Sequence, residues 1–176
     1  MYHAIIETNF EIDISNSQRA LAVDLAELRR VLEHALRLEQ IRGAVLSVSI
    51  VDNATIHRLN REHLQHDYPT DVISFQLDFA RDDDAPDDAP AELRAVGAII
   101  EGEIIASAEM AAEMAATGQW SPIDELTLYV IHGLLHICGY DDLSPEEKTI
   151  KRSRERAILN ALGLHPVYPD DDCQTI

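Results

Sequence analysis

The sequence predicts an α+β fold, with helices packed against a small mixed sheet. Three observations predict it. Strand-like and helix-like stretches alternate at first, helices then cluster toward the C-terminal end, and 46% apolar content in 176 residues can form one real core. Only 7 Gly and 7 Pro exclude a collagen-like or low-complexity chain. The expected organisation is one domain over residues 1–163 and a loosely held tail over 164–176.

The elements follow in order. Tyr2 to Ile14, rich in Ile, Thr and Phe with weak alternation, reads as a strand. After Ser17, Leu21, Leu25, Leu28, Leu32 and Leu36 recur at helical spacing, which predicts an amphipathic helix ending near Gly43. Leu46, Val48 and Ile50 alternate with Ser47 and Ser49, a half-buried strand. Asp52-Asn53 opens a short helix, and the Pro69-Thr70-Asp71 turn introduces a strand from Val72 to Phe79. Residues 81–92 carry Asp82, Asp83, Asp84, Asp87, Asp88 and Glu92, a composition expected to form a mobile acidic loop. Strand character returns over Val96 to Ser107, expected to break at Gly102, and a helix follows from Ala108 to Thr117. Two well-punctuated helices complete the chain. Ser121-Pro122 starts the first and Gly139 closes it; Ser144-Pro145 starts the second with a capping box to Glu147, and it runs to about Leu162.

The charge balance, 14 basic against 32 acidic residues for a net −18, excludes a general nucleic-acid coat protein. Any contact with RNA must come from a local basic patch or a metal. Cys138 and Cys173 cannot make a disulfide framework. The most apolar run, Leu126 to Cys138, is shorter than the ~20 residues that span a bilayer. The expectation is a soluble cytoplasmic protein with no membrane partner.

Chemistry concentrates in His132-Gly133-Leu134-Leu135-His136-Ile137-Cys138-Gly139-Tyr140-Asp141-Asp142. Histidines four apart on a helix project from one face, so both rings reach one ion. Gly139 lets the chain reverse and bring Asp142 back as a third ligand; His165, in the tail, is the rival for that place. Three protein ligands leave a position open, the arrangement of a catalytic metal site. Zinc-protease helices carry Glu directly after the first His; Gly133 stands there, which argues against peptide hydrolysis by that route. Cys138 points away from the pair and reads as core.

This segment resembles the signature of the YbeY family of single-strand-specific metallo-endoribonucleases. Leu59-Asn60 with Asp67 to Phe75 resembles a second block of that family, and Gly102-Glu103-Ile104-Ile105-Ala106-Ser107 a third, with Glu103 where Asp is usual. The resemblance implies a zinc-dependent endoribonuclease acting in 16S rRNA 3′-end maturation and ribosome quality control. It implies one Zn2+ on His132, His136 and Asp142, which are also its catalytic residues. Implied partners are single-stranded RNA or rRNA and the ribosome or its small subunit. The implied fold is a four-stranded mixed sheet with five or six helices around a zinc-metalloprotease-like core, residues 1–163 forming the metal-hydrolase domain. Two positions depart from the family: Asp142, where the third ligand is commonly His, and Leu64, where many members carry an Arg that handles RNA. Two alternatives therefore stand beside this reading. One is a ribosome assembly or binding factor with a structural metal; the other is a metal hydrolase of another substrate.

Lys148, Lys151, Arg152, Arg154 and Arg156 place five of the 14 basic residues in nine positions. They form either a phosphate-docking stripe or a solvated helix face with Glu147 and Lys151 paired. Arg58 and Arg61 are candidates to replace the missing Arg. Glu103 and Asp141 are the expected acceptors for the ligand imidazoles. Thr70 and Asp71 read as a turn cap, His63 and His66 as surface residues, and Trp120 as a residue that staples the next helix.

Overall fold

The computed structural model describes residues 8–81, 90–118, 120–166 and 168. The order is β1 (Asn9–Asn16), α1 (Leu25–Leu38), β2 (Gly43–Val51), α2 (Asn53–Leu64), β3 (Val72–Ala80), β4 (Ile99–Ser107), α3 (Ala108–Gly118), α4 (Pro122–Ile137) and α5 (Pro145–Ala161). The four strands lie in the order β1-β2-β4-β3. β1 and β4 run parallel to β2, and β3 runs antiparallel to β4. This is the expected α+β architecture, a four-stranded mixed sheet with five helices among the described residues. None of these helices is long and apolar enough to cross a membrane.

Alternation decides which sheet face is covered. Ala44, Leu46, Val48 and Ile50 of β2 and Ile100, Ile104 and Ala106 of β4 are buried and join one core with α1 and α4. The opposite face is covered at one end, where Ile56 of α2 packs with Val51 and Ile73. Elsewhere it presents the exposed Glu11, Asp13, Glu101 and Glu103. Part of the large negative charge therefore sits on the face away from α4.

Three expected boundaries move. α1 starts at Leu25, well after Ser17, because Asp24 takes the N-cap, accepting from the amides of Ala26 and Glu27 at 3.0 Å. Before it, the Gln18 amide side chain bonds both the carbonyl and the N–H of Leu21 at 2.9 Å, which holds this segment as a loop. β4 runs through Gly102 without a break. A Cβ there would lie 2.7 Å from both Ile137 Cδ1 and the Phe75 carbonyl oxygen, so Gly102 serves the close approach of α4 to the sheet. Opposite it, β3 carries a register shift between Gln76 and Asp78. The first strand begins at Asn9, and residues 2–7 of the expected strand lie outside the described residues.

The expected acidic loop falls mostly on residues 82–89, also outside the described residues. At its end, the Glu92 carbonyl oxygen lies 3.0 Å from the Tyr140 hydroxyl oxygen. In the tail beyond Gly163, Tyr168 is buried and its hydroxyl donates to Glu155 at 2.7 Å.

Candidate metal centre

α4 is the best-determined element of the site because its ends are written locally. Ser121 and Asp124 form a reciprocal capping box, with Pro122 at the first helical position. At the other end Gly139 takes φ +89°, a left-handed conformation that favours glycine. The Gly139 N–H donates to the His136 carbonyl and the Tyr140 N–H to that of Leu135, both at 3.0 Å, so the chain turns back. Asp141 Oδ1 accepts from the amides of Asp142 and Leu143 at 2.7 and 3.2 Å, which shapes the turn that presents Asp142. α4 lies against β3 and β4, with Gly133 over Ile104 and Val72. The Gln76 side chain donates to the Ile137 carbonyl at 2.8 Å and ties the end of α4 to β3.

His132, His136 and Asp142 converge, with one potential ligand atom from each lying within 4.8 Å of the others. Asp142 Oδ2 is 3.8 Å from His132 Nε2 and 3.5 Å from His136 Nε2. Four ligands about 2.1 Å from a tetrahedral ion are separated by roughly 3.4 Å, so the spacing suits such an ion. His165 instead bonds Asn160 through Nδ1 at 2.9 Å.

The imidazoles are oriented by partners the sequence did not single out. His132 Nδ1 lies 2.7 Å from Glu155 Oε1, and His136 Nδ1 lies 3.1 Å from the Tyr140 carbonyl oxygen. Both partners are acceptors, so each Nδ1 carries the proton and each Nε2 lone pair faces the centre. Burial raises the Glu155 carboxyl pKa, but the hydrogen bond and charge of His132 and the Tyr168 hydroxyl bring it below the ordinary Glu value. Burial, then the neighbouring Lys151 ammonium, holds His136 below the ordinary histidine value. Glu103 and Asp141, the expected acceptors, do not serve. Glu103 is exposed on the other sheet face, and Asp141 is occupied in the turn.

Lys151 is the residue whose place sequence reasoning missed. Its side chain is 1% exposed, and Nζ lies 2.7 Å from His132 Nε2, 2.6 Å from His136 Nε2 and 3.2 Å from Asp142 Oδ2. The same Nζ is 3.2 Å from His132 Nδ1. Burial pulls the Lys151 pKa below the ordinary lysine value, against the charges of Glu155, Asp142 and Asp71. Burial also opposes ionisation of Asp142, but Lys151 outweighs it through charge and hydrogen bond and keeps that carboxyl below the usual range.

The expected basic stripe is not one surface. Lys151 enters the site, and Arg154 bonds the fully buried Glu39 carboxylate through Nε and Nη2 at 3.0 and 2.7 Å. Arg152 and Arg156 lie over the Tyr168 ring, each 4.9 Å from its centroid. Beside the site runs a groove of about 450 Å3, with Met110, Met114, Leu128 and Tyr129 along it and Lys148 and Arg152 among its charged residues. No α2 residue lines that groove, so Arg58 and Arg61 stand apart from it. Thr70 and Asp71 do line it, and Asp71 Oδ1 also caps the turn by accepting from Thr70 Oγ1 and the Val72 amide at 3.0 and 2.8 Å. Cys138 is fully buried, and burial pushes its thiol pKa well up, as a core position requires. Trp120 donates to Glu125 on the first turns of α4.

Fold and site together define an α+β protein with a His-His-Asp group that could hold a metal ion, at the edge of a surface groove. The sequence profile of the family described as Endoribonuclease YbeY matches residues 13–163. A Rhodopirellula baltica protein named Endoribonuclease YbeY is 40% identical over 171 residues, 96% of this chain and 80% of that one. Proteins of the same name from Bacillus licheniformis and Carboxydothermus hydrogenoformans are 36% and 37% identical, covering 87% and 86% of this chain and 95% and 97% of their own. This chain belongs to the YbeY family. The solution structure of TM1509 from Thermotoga maritima shares its fold, with a TM-score of 0.54 at 24% identity over 86% of this chain and 91% of that one.

Proposed function

We propose that this protein is a zinc-dependent endoribonuclease that cuts single-stranded RNA. Its place is in the cytoplasm, in 16S rRNA 3′-end maturation and ribosome quality control, with the ribosome or its small subunit as partner. The observation that carries the reading is the convergence of two Nε2 lone pairs and one carboxylate oxygen beside an open groove, in a chain whose relatives are named endoribonucleases. Two imidazoles and a carboxylate are a fitting donor set for one Zn2+. The three ligand side chains are about one-third exposed, which suits a site open to substrate. A divalent ion there supplies Lewis acidity toward a phosphoryl oxygen and acidifies water.

The chain's own residues do the rest. Glu155 and the Tyr140 carbonyl hold the rings in the tautomer that faces the centre. Lys148 and Arg152 give the groove positive charge for phosphates on an otherwise repellent protein, and its apolar stretch gives unstacked bases a surface. In this reading residues 1–163 form one metal-hydrolase domain.

The test is RNA cleavage by protein of known metal content, with and without chelator, beside His136→Ala. Loss of cleavage in both arms, with retained folding, is expected. Undiminished cleavage at zero metal content would overturn the metal reading. RNA or ribosome binding without cleavage at full loading would favour the binding factor.

A further inference from the structure

The cation seat is filled by a cation that the chain itself supplies. Lys151 and Glu155 are four apart on α5, hence on one face, and both address His132: Glu155 at Nδ1, the Lys151 ammonium at Nε2. An ammonium has three N–H donors, and Lys151 meets three acceptors within 3.2 Å: the two Nε2 atoms and Asp142 Oδ2. These are the same three residues that can hold a metal. No room remains among them for a second positive charge.

The seat is built for the lysine as well as it is for an ion. A buried ammonium is costly without partners, and this one, 1% exposed, has two imidazole Nε2 atoms and a carboxylate oxygen around it. It also has somewhere to go, since Lys151 lines the groove together with Asp71 and Glu155.

We propose that Lys151 is a tethered competitor for the metal seat, so that a divalent ion binds only by displacing its ammonium. This rests on the reading of the three residues as metal ligands and adds what sets their affinity. Apparent affinity falls by the fraction of molecules whose seat is free. A lysine seated nine-tenths of the time therefore weakens metal binding about tenfold. When metal is scarce, the same lysine keeps the rings and the carboxylate in place.

Zinc titration against a competing chelator on the whole chain tests this, comparing the parent with Lys151→Met and Lys151→Gln. The Met variant keeps the length and loses the charge. At least about tenfold tighter zinc binding is expected in both, with a larger rise of unfolding temperature on zinc addition than in the parent. His136→Ala in the Lys151→Met background should abolish the gain, which locates the ion. Unchanged or weaker binding in folded variants overturns the competition and leaves the metal reading standing. No zinc binding by the parent or by either folded variant overturns both. Should neither variant fold, acylation of Lys151 in the parent, read by mass spectrometry, decides: it should rise at saturating zinc, and an unchanged rate refutes displacement.

Discussion

Arg154 offers a direct test of how much of the basic helix serves structure. Its guanidinium bonds Glu39 Oε1 at 2.7 and 3.0 Å, and the Tyr140 hydroxyl donates to Glu39 Oε2 at 2.6 Å. Glu39 is 0% exposed and Arg154 15%. This cluster joins the end of α1, the turn after α4 and the middle of α5, so it braces the turn that presents Asp142. Replacing Arg154 with Met leaves Glu39 as a buried charge with only the tyrosine hydroxyl. Breaking such a pair costs about 3–5 kcal/mol, and the remaining hydroxyl and partial exposure place this one near the lower end. At about 2–4 °C per kcal/mol for a chain of this size, the unfolding midpoint should fall by roughly 6–12 °C. Arg30→Gln is the control, because its pair with Glu27 is 66% and 58% exposed and, screened by water, should matter little. Adding Glu39→Met to Arg154→Met should restore much of the loss, since the orphaned charge goes with it. Chemical denaturation of the four proteins decides. A loss in Arg154→Met no larger than the control would refute the buried-pair account and return Arg154 to RNA docking.

Replacing Lys148 and Arg152 with Gln should weaken single-stranded RNA binding and reduce its log–log salt slope by about 1.4, at about 0.7 for each lost phosphate contact; an unchanged slope places docking elsewhere. Gly102→Ala should cost about 1–3 kcal/mol, because the new methyl meets Ile137 and the Phe75 carbonyl, and a neutral melt would mean that α4 yields freely. Ser121→Ala should cost about 1 kcal/mol through loss of the α4 cap, measured by urea unfolding, without altering zinc affinity. Asp52 caps α2, and its hydrogen bonds from Thr55 hold its carboxyl below the ordinary Asp value. Its contribution is thus present above the unfolded-state pKa and fades as pH falls through the lower folded one. Asp52→Asn should flatten the acid limb of stability against pH, and an unaltered limb would show that the cap does not titrate there.

Much of this protein is legible from short-range rules. Periodicity and alternation locate the strands and helices of the described residues, while the capping residues place α4 and α5 to within a residue or so. The pair His132 and His136 follows from the pitch of a helix, and Asp142 from a glycine reversal three residues earlier. All of these depend on interactions within a few positions of the chain, where residue identity and backbone geometry decide together. The placement of β4 between β2 and β3 does not, because it rests on pairing between distant segments. Nor does the fate of the basic helix. Lys151 and Arg154 look like solvated or RNA-facing residues in sequence, yet one meets His132 and His136, 19 and 15 positions away, and the other meets Glu39, 115 positions away. Glu155 was equally hidden, 23 residues from the histidine it orients. Whether a charged side chain faces water or an acceptor depends on how its helix is rolled against its neighbours. That roll is decided by the whole core, which no local window of sequence contains.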